Sequence, residues 1–146
     1  MTARTSAGTS ISIGPAPATY DAAGFGAVVV SVIGEVTDAG EYGKVYNLVT
    51  HNPLADRKTK KYKGSYNNGS ITLQLAIDEL DVGQIAAVAA SDSDDSYTIK
   101  VTKQNGAVDY FTAQVMSFTT SVGSVDSIES GSIQLEIDND IVKVAA

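Results

Sequence analysis

The chain has 146 residues, 43% of them hydrophobic and 18% charged, with a net charge of −7 and no cysteine. That length suits one domain around a single core, and the absence of Cys excludes disulfides, thiolate metal sites and cysteine nucleophiles. A pI near 4.4 argues against a nucleic-acid-binding surface, which is normally basic.

Taken in chain order, residues 1–8 are small and polar and cannot bury enough apolar surface to order alone. They are expected to form a flexible N-terminal arm ahead of one domain at 9–146. The start lacks the apolar stretch of a signal peptide, and no run approaches membrane-spanning length. A soluble protein made in a cytoplasm, with no membrane partner, is the expectation. After a short first strand, "FGAVVVSVIG" at 25–34 is apolar on both faces, as a central strand or one buried against a neighbouring subunit would be. "GEYGKV" at 40–45 ends like a phosphate loop, but Asp38 replaces the first Gly and Val45 the metal-binding Ser/Thr. It is read as a hairpin turn.

A long polar connection follows from about residue 50 to 69, and a loop of that length in a compact domain is usually functional or disordered. It holds the lone His51, read as an exposed loop residue, and "RKTKKYK" at 57–63, which concentrates half of the ten basic residues. A basic run suggests nucleic acid, because neutralising phosphates releases counterions. Yet residues 76–146 carry twelve Asp/Glu against three Lys/Arg, so most of the molecule would repel a polyanion. Tyr62 and Tyr66 are read as rings that anchor the connection on a protein surface. Asn68-Gly69-Ser70 is read as a plain turn.

Strict alternation then dominates. Ile71, Leu73, Leu75 and Ile77 point one way from "SITLQLAID", as do Tyr97, Ile99 and Val101 in "YTIKVTK", and Ile133, Leu135 and Ile137 in "SIQLEID". Between the first two runs, Asp81 can cap a helix near 82–91 with Gln84 three residues on. Ile85, Val88 and Ala89 would form its sheet-facing stripe, and Gly83 weakens the helix slightly. "DSDDS" at 92–96 fails as a Ca²⁺ loop, since Tyr97 stands where Gly is needed and Lys103 where Glu is needed. It is read as an acidic helix-to-strand linker. Asn105-Gly106 predicts a type I′ hairpin into a strand at 108–119, and Asp138-Asn139-Asp140 a turn into a last strand at 141–144. No nucleophile, base or metal-ligand set stands out, so no enzyme activity and no cofactor or metal is expected.

The order of "AAGFGAVVVSVIGEV", the polar connection, "KGSYNNGSITLQLAIDELDVGQ", a short Ala-rich helix and "DYFTAQVMSFTTSVGSVDSIESGSIQLEIDNDIVKV" resembles the major tail tube proteins of long, flexible-tailed bacteriophages. The resemblance covers nearly the whole chain, and its most specific parts are Lys63 to Gln84 and Asp109 to Val144, especially "TTSVGSVDSIESGSIQLEID". It implies an all-β fold with one short helix, an antiparallel β-sandwich or barrel of the phage tail tube type. It also implies homohexameric rings, with sheets joined across subunits, stacked head to tail into a virion tail tube assembled in the host cytoplasm. The implied partners are a tape-measure protein and tail terminator or tip proteins, and DNA passes through the lumen without specific binding. An acidic wall suits that passage. Charge segregation suits stacking, with Arg57, Lys58, Lys60, Lys61, Tyr62 and Lys63 reaching acidic segments such as Asp92, Asp94 and Asp95 of the adjacent ring. The alternative is a carbohydrate- or protein-binding β-sandwich module of the adhesin kind, and a small β-rich enzyme is the third reading.

Overall fold

In the computed structural model, which describes residues 3–145, the element order is β1 (Ser10–Gly14), α1 (Ala22–Gly26), β2 (Ser31–Ile33), β3 (Val36–Asp38), β4 (Val45–His51), β5 (Lys60–Asn67), β6 (Ser70–Ala76), α2 (Val82–Ser91), β7 (Tyr97–Thr102), β8 (Val108–Ser121), β9 (Ser130–Ile137) and β10 (Val142–Val144). The fold is antiparallel β throughout, with α2 as the expected helix and α1 as an unexpected single turn. Met1 and Thr2 of the expected N-terminal arm lie outside the described residues. Residues 3–8 are exposed and precede β1 through a turn in which Thr9 N–H donates to Ser6 O at 3.1 Å.

One sheet runs in the order β2-β1-β7-β8-β9-β6-β3, with β10 also paired to β8. Its two edges, β2 and β3, are joined by only Gly34 and Glu35, so the sheet must curl until they meet at that corner. Glu35 sits at φ 61° there, and its carbonyl accepts from Ala76 N–H at 2.9 Å. Inside the curl lie Ile11, Ile13, Ile33, Ile71, Leu73, Leu75, Ile99, Val101, Phe111, Ala113, Val115, Ile133, Leu135 and Ile137, all buried. The alternating runs therefore put their apolar sets inward as expected, except that Ile77 and Tyr97 at their ends are only partly buried. Each Val, Leu, Ile or Phe in the buried set contributes about 1.5–3 kcal/mol of apolar burial, and Ala87 and Ala90 of α2 complete the core.

Asp81 caps α2, its carboxylate accepting from Gln84 N–H at 2.9 Å. The buried face is not the expected one. Gly83, Gln84, Ala87 and Ala90 face inward, while Ile85 and Val88 are 54% and 44% exposed. The cause is close approach: a Cβ on Gly83 would lie 2.0 Å from the Val32 carbonyl oxygen, so only a stripe of small residues lets the helix touch β2. Gln84 then fills the gap, accepting from Asp78 N–H at 2.9 Å and donating to Gly34 O at 3.0 Å and Ala76 O at 2.9 Å. It pins the helix start to the sheet corner.

Four further expectations are corrected. The segment 25–34 is not a central strand: it ends α1, crosses an irregular stretch and becomes the edge strand β2, leaving Val29 and Val32 exposed. Residues 40–45 do not form a hairpin turn, because β3 pairs with β6 and β4 with β5. The turn at Asn105-Gly106 is not type I′, which needs positive φ at both residues. Only Gly106 has it, at 91°. Gly106 N–H donates to Lys103 O and Lys103 N–H to Ala107 O, the pattern of a type I turn closed by a glycine bulge. Finally, 50–69 is not one long loop, since β4 runs on to His51 and β5 takes up Lys60–Asn67.

Candidate assembly interface

The corrected segment is the most unusual part of the molecule. β4 and β5 form a separate two-stranded sheet with Leu48 opposite Lys63, Val49 opposite Tyr62, Thr50 opposite Lys61 and His51 opposite Lys60. Every residue of β4 is exposed, and in β5 only Gly64 is half-buried. Apolar residues lie on both faces, among them Leu48 at 64% and Val49 at 48% exposure. A lone two-stranded hairpin is marginally stable in water, so this one needs other support.

Part of that support is an aromatic and cationic ladder at its base. The Tyr46 and Tyr66 rings are 5.3 Å apart, Lys44 Nζ lies 4.6 Å from the Tyr66 ring and Lys63 Nζ lies 4.8 Å from the Tyr46 ring. Tyr66 also donates its hydroxyl to Asp140 Oδ1 at 2.8 Å, a bond to a carboxylate that raises the phenol above its ordinary range. The neighbouring Asp138 accepts from Thr112 at 2.6 Å and from Ser96. The 138–140 turn thus ties the hairpin base to the body.

The eight-residue tip joins β4 to β5. Asp56 N–H donates to Pro53 O at 3.3 Å, and Asp56 Oδ1 accepts from Lys58 N–H at 3.1 Å. This tight turn presents Leu54, fully exposed, beside Arg57 and Lys58. Lys60, Lys61, Tyr62 and Lys63 follow on β5. Among the described residues the sole ion pair is Lys103 with Asp109 at 2.9 Å, so no side-chain charge of the basic run is paired with a carboxylate among them. Asp92, Asp94 and Asp95 are exposed on the α2–β7 linker. They sit near the hairpin base, because Ser96 reaches Asp138 while Tyr66 reaches Asp140.

Sequence reasoning missed the hairpin because neither strand has a buried face to impose alternation. The β-branched and aromatic content of "VYNLVT" at 45–50 was the available signal. It also missed Leu54. His51 ends β4, exposed, and no cluster of three metal-ligating side chains occurs among the described residues. No helix among them is long and apolar enough to cross a membrane. Further exposed apolar residues lie at Val29 and Val32 beside the open edge of β2, and at Val122, Val125 and Ile128 in the β8–β9 connection.

No family model matches the sequence, and no curated protein matches it. Solved structures do. A chain of the six-fold symmetrised anti-feeding prophage baseplate is 10% identical, covering 99% of this chain and 97% of that one, with a TM-score of 0.75. A chain from the virion of a native gene transfer agent particle is 12% identical, with 98% and 100% covered and a TM-score of 0.71. The SPP1 tail tube subunit is 14% identical, with 94% and 77% covered and a TM-score of 0.65. The architecture of this chain is therefore the tail tube fold, held at sequence identities of 10–14%.

Proposed function

We propose that this protein is the structural subunit of a phage-type tail tube, assembling into homohexameric rings that stack head to tail around a channel for DNA. A fold alone does not fix a function. The observation that carries the reading is the β4–β5 hairpin, exposed on both faces, with apolar residues and five cations that have no ion-pair partner among the described residues, on a tail tube fold. Such a surface is costly in a monomer and suited to a heterologous contact, in which two different faces of one subunit meet and the contact propagates.

In the tube, the open edge of β2 with Val29 and Val32 meets the neighbouring subunit within a ring. The hairpin meets acidic surface on the adjacent ring. The net charge of −7 keeps DNA sliding instead of sticking. A tape-measure protein fills the lumen during assembly in the host cytoplasm, and terminator or tip proteins close the ends. An adhesin reading gains nothing from the surface, because Tyr46 and Tyr66 already stack on each other and on lysines.

The test is the triple variant Lys58→Glu, Lys60→Glu, Lys61→Glu. Its circular dichroism should match that of the unmodified monomer, while its sedimentable polymer is lost. Polymer formed at the wild-type rate would remove the hairpin's charge from the account.

A further inference from the structure

On the side of the molecule away from the hairpin base, an open groove of about 610 Å³ lies between α2 and the ends of β6, β8 and β9. Its floor is apolar, made by Ile77, Ile85, Val88 and Phe118, and its rim carries Asp78, Glu79 and Glu129. This is where the outward-facing side chains of α2 go. None of the three rim carboxylates has an ion-pair partner among the described residues.

The sheet register fixes the relation between groove and hairpin. β6 and β9 pair from Ser70 with Glu136 at one end to Ala76 with Ser130 at the other. The hairpin joins β6 at the Ser70 end through Asn68 and Gly69, whereas Ile77, Asp78 and Glu79 follow Ala76 and Glu129 precedes Ser130. Hairpin and groove therefore sit at opposite ends of one strand pair, roughly 20 Å apart at about 3.4 Å per residue. Asp92, Asp94 and Asp95 are at the hairpin's own end, since β7 starts at Tyr97, paired with Ala113, which in turn pairs with Ile137.

We infer that the groove receives the hairpin tip of a second copy of this chain in the adjacent ring, with Leu54 on the apolar floor and Arg57, Lys58 and Lys60 against Asp78, Glu79 and Glu129. The inference rests on the tube reading and names its stacking site. The complementarity is double: an exposed aliphatic anchor beside a cationic run, facing an apolar floor within an anionic rim. Because the two surfaces occupy opposite ends of the subunit, each copy offers one and receives with the other, which yields an open stack instead of a closed pair.

The chain has no cysteine, so a pair of introduced thiols reports this contact alone. The variant Leu54→Cys, Val88→Cys changes two exposed positions, and oxidation of its tubes should give a ladder of covalent multimers on a denaturing gel. The control Leu54→Cys, Asp94→Cys should give none. Tubes in which the control cross-links and the Val88 variant does not would overturn the groove while leaving the tube reading intact, whereas a wild-type protein that forms no tubes at all would sink both. A charge exchange covers failure of the thiol variant to assemble. Lys58→Glu and Glu79→Lys should each slow assembly at least tenfold, and their combination should restore it. Absence of recovery would overturn the pairing.

Discussion

Tyr46 and Tyr66 face each other across the β4–β5 ladder with ring centroids 5.3 Å apart, and a lysine sits over each ring. This stack does locally what a core does for the rest of the molecule, holding two strands that have no buried face. Tyr66→Ala removes both the stack and the bond to Asp140. Its hairpin amides should exchange with solvent faster by roughly tenfold or more, since local opening is governed by local contacts. Amides of β8 and β9 should be unaffected. Uniform loss of protection across both sheets would show that the hairpin is not an independent unit.

The α2 contact with the sheet corner predicts a sharp size limit. Gly83→Ala drives a methyl into the Val32 carbonyl, 2.0 Å away, and overpacking of that kind costs about 1–3 kcal/mol or more. Gln84→Leu leaves the partly buried Asp78 N–H, Gly34 O and Ala76 O without their partner, at a total of about 1–3 kcal/mol because solvent can reach them in part. Thermal melts should fall by roughly 2–4 °C per kcal/mol for a chain of this size. Val82→Ala, on the exposed side of the same helix, should leave the melt nearly unchanged.

Alkaline stability should depend on Tyr42. Burial, then its hydrogen bond to the Asp109 carboxylate, raises this phenol well above its ordinary value of 10.0. A raised folded-state value means that the neutral phenol is favoured by the fold. Its contribution is present below about pH 10, the unfolded value, and is lost as pH climbs through the folded one. Denaturant midpoints should therefore decline above pH 10 in the wild type, and Tyr42→Phe should decline less steeply. Equal slopes would remove Tyr42 from the alkaline transition.

The parts legible in the sequence were those where one face is buried and the other wet. Ile71, Leu73 and Leu75 alternate with polar partners because the curled sheet buries one face, and Asp81 marks the start of α2 because a cap must accept backbone N–H groups. What stayed hidden depended on contacts that leave no periodic trace. The inward face of α2 was set by a glycine too close to Val32 for any side chain, so Ile85 and Val88, the natural choice for a core, point outward. β4 and β5 looked like one polar loop because a hairpin wet on both sides has no alternation to show. The basic run was conspicuous as charge, but its placement opposite the acidic groove came only from the β6–β9 register.

Negative-stain electron microscopy of the purified protein, concentrated at low salt, tests the central claim most directly. The account predicts hollow tubes whose end-on views show six-fold rings around a stain-filled channel, and fewer tubes as salt rises and the exposed charges are screened. Dispersed monomers at every concentration and salt, with the hairpin intact by mass, would contradict it.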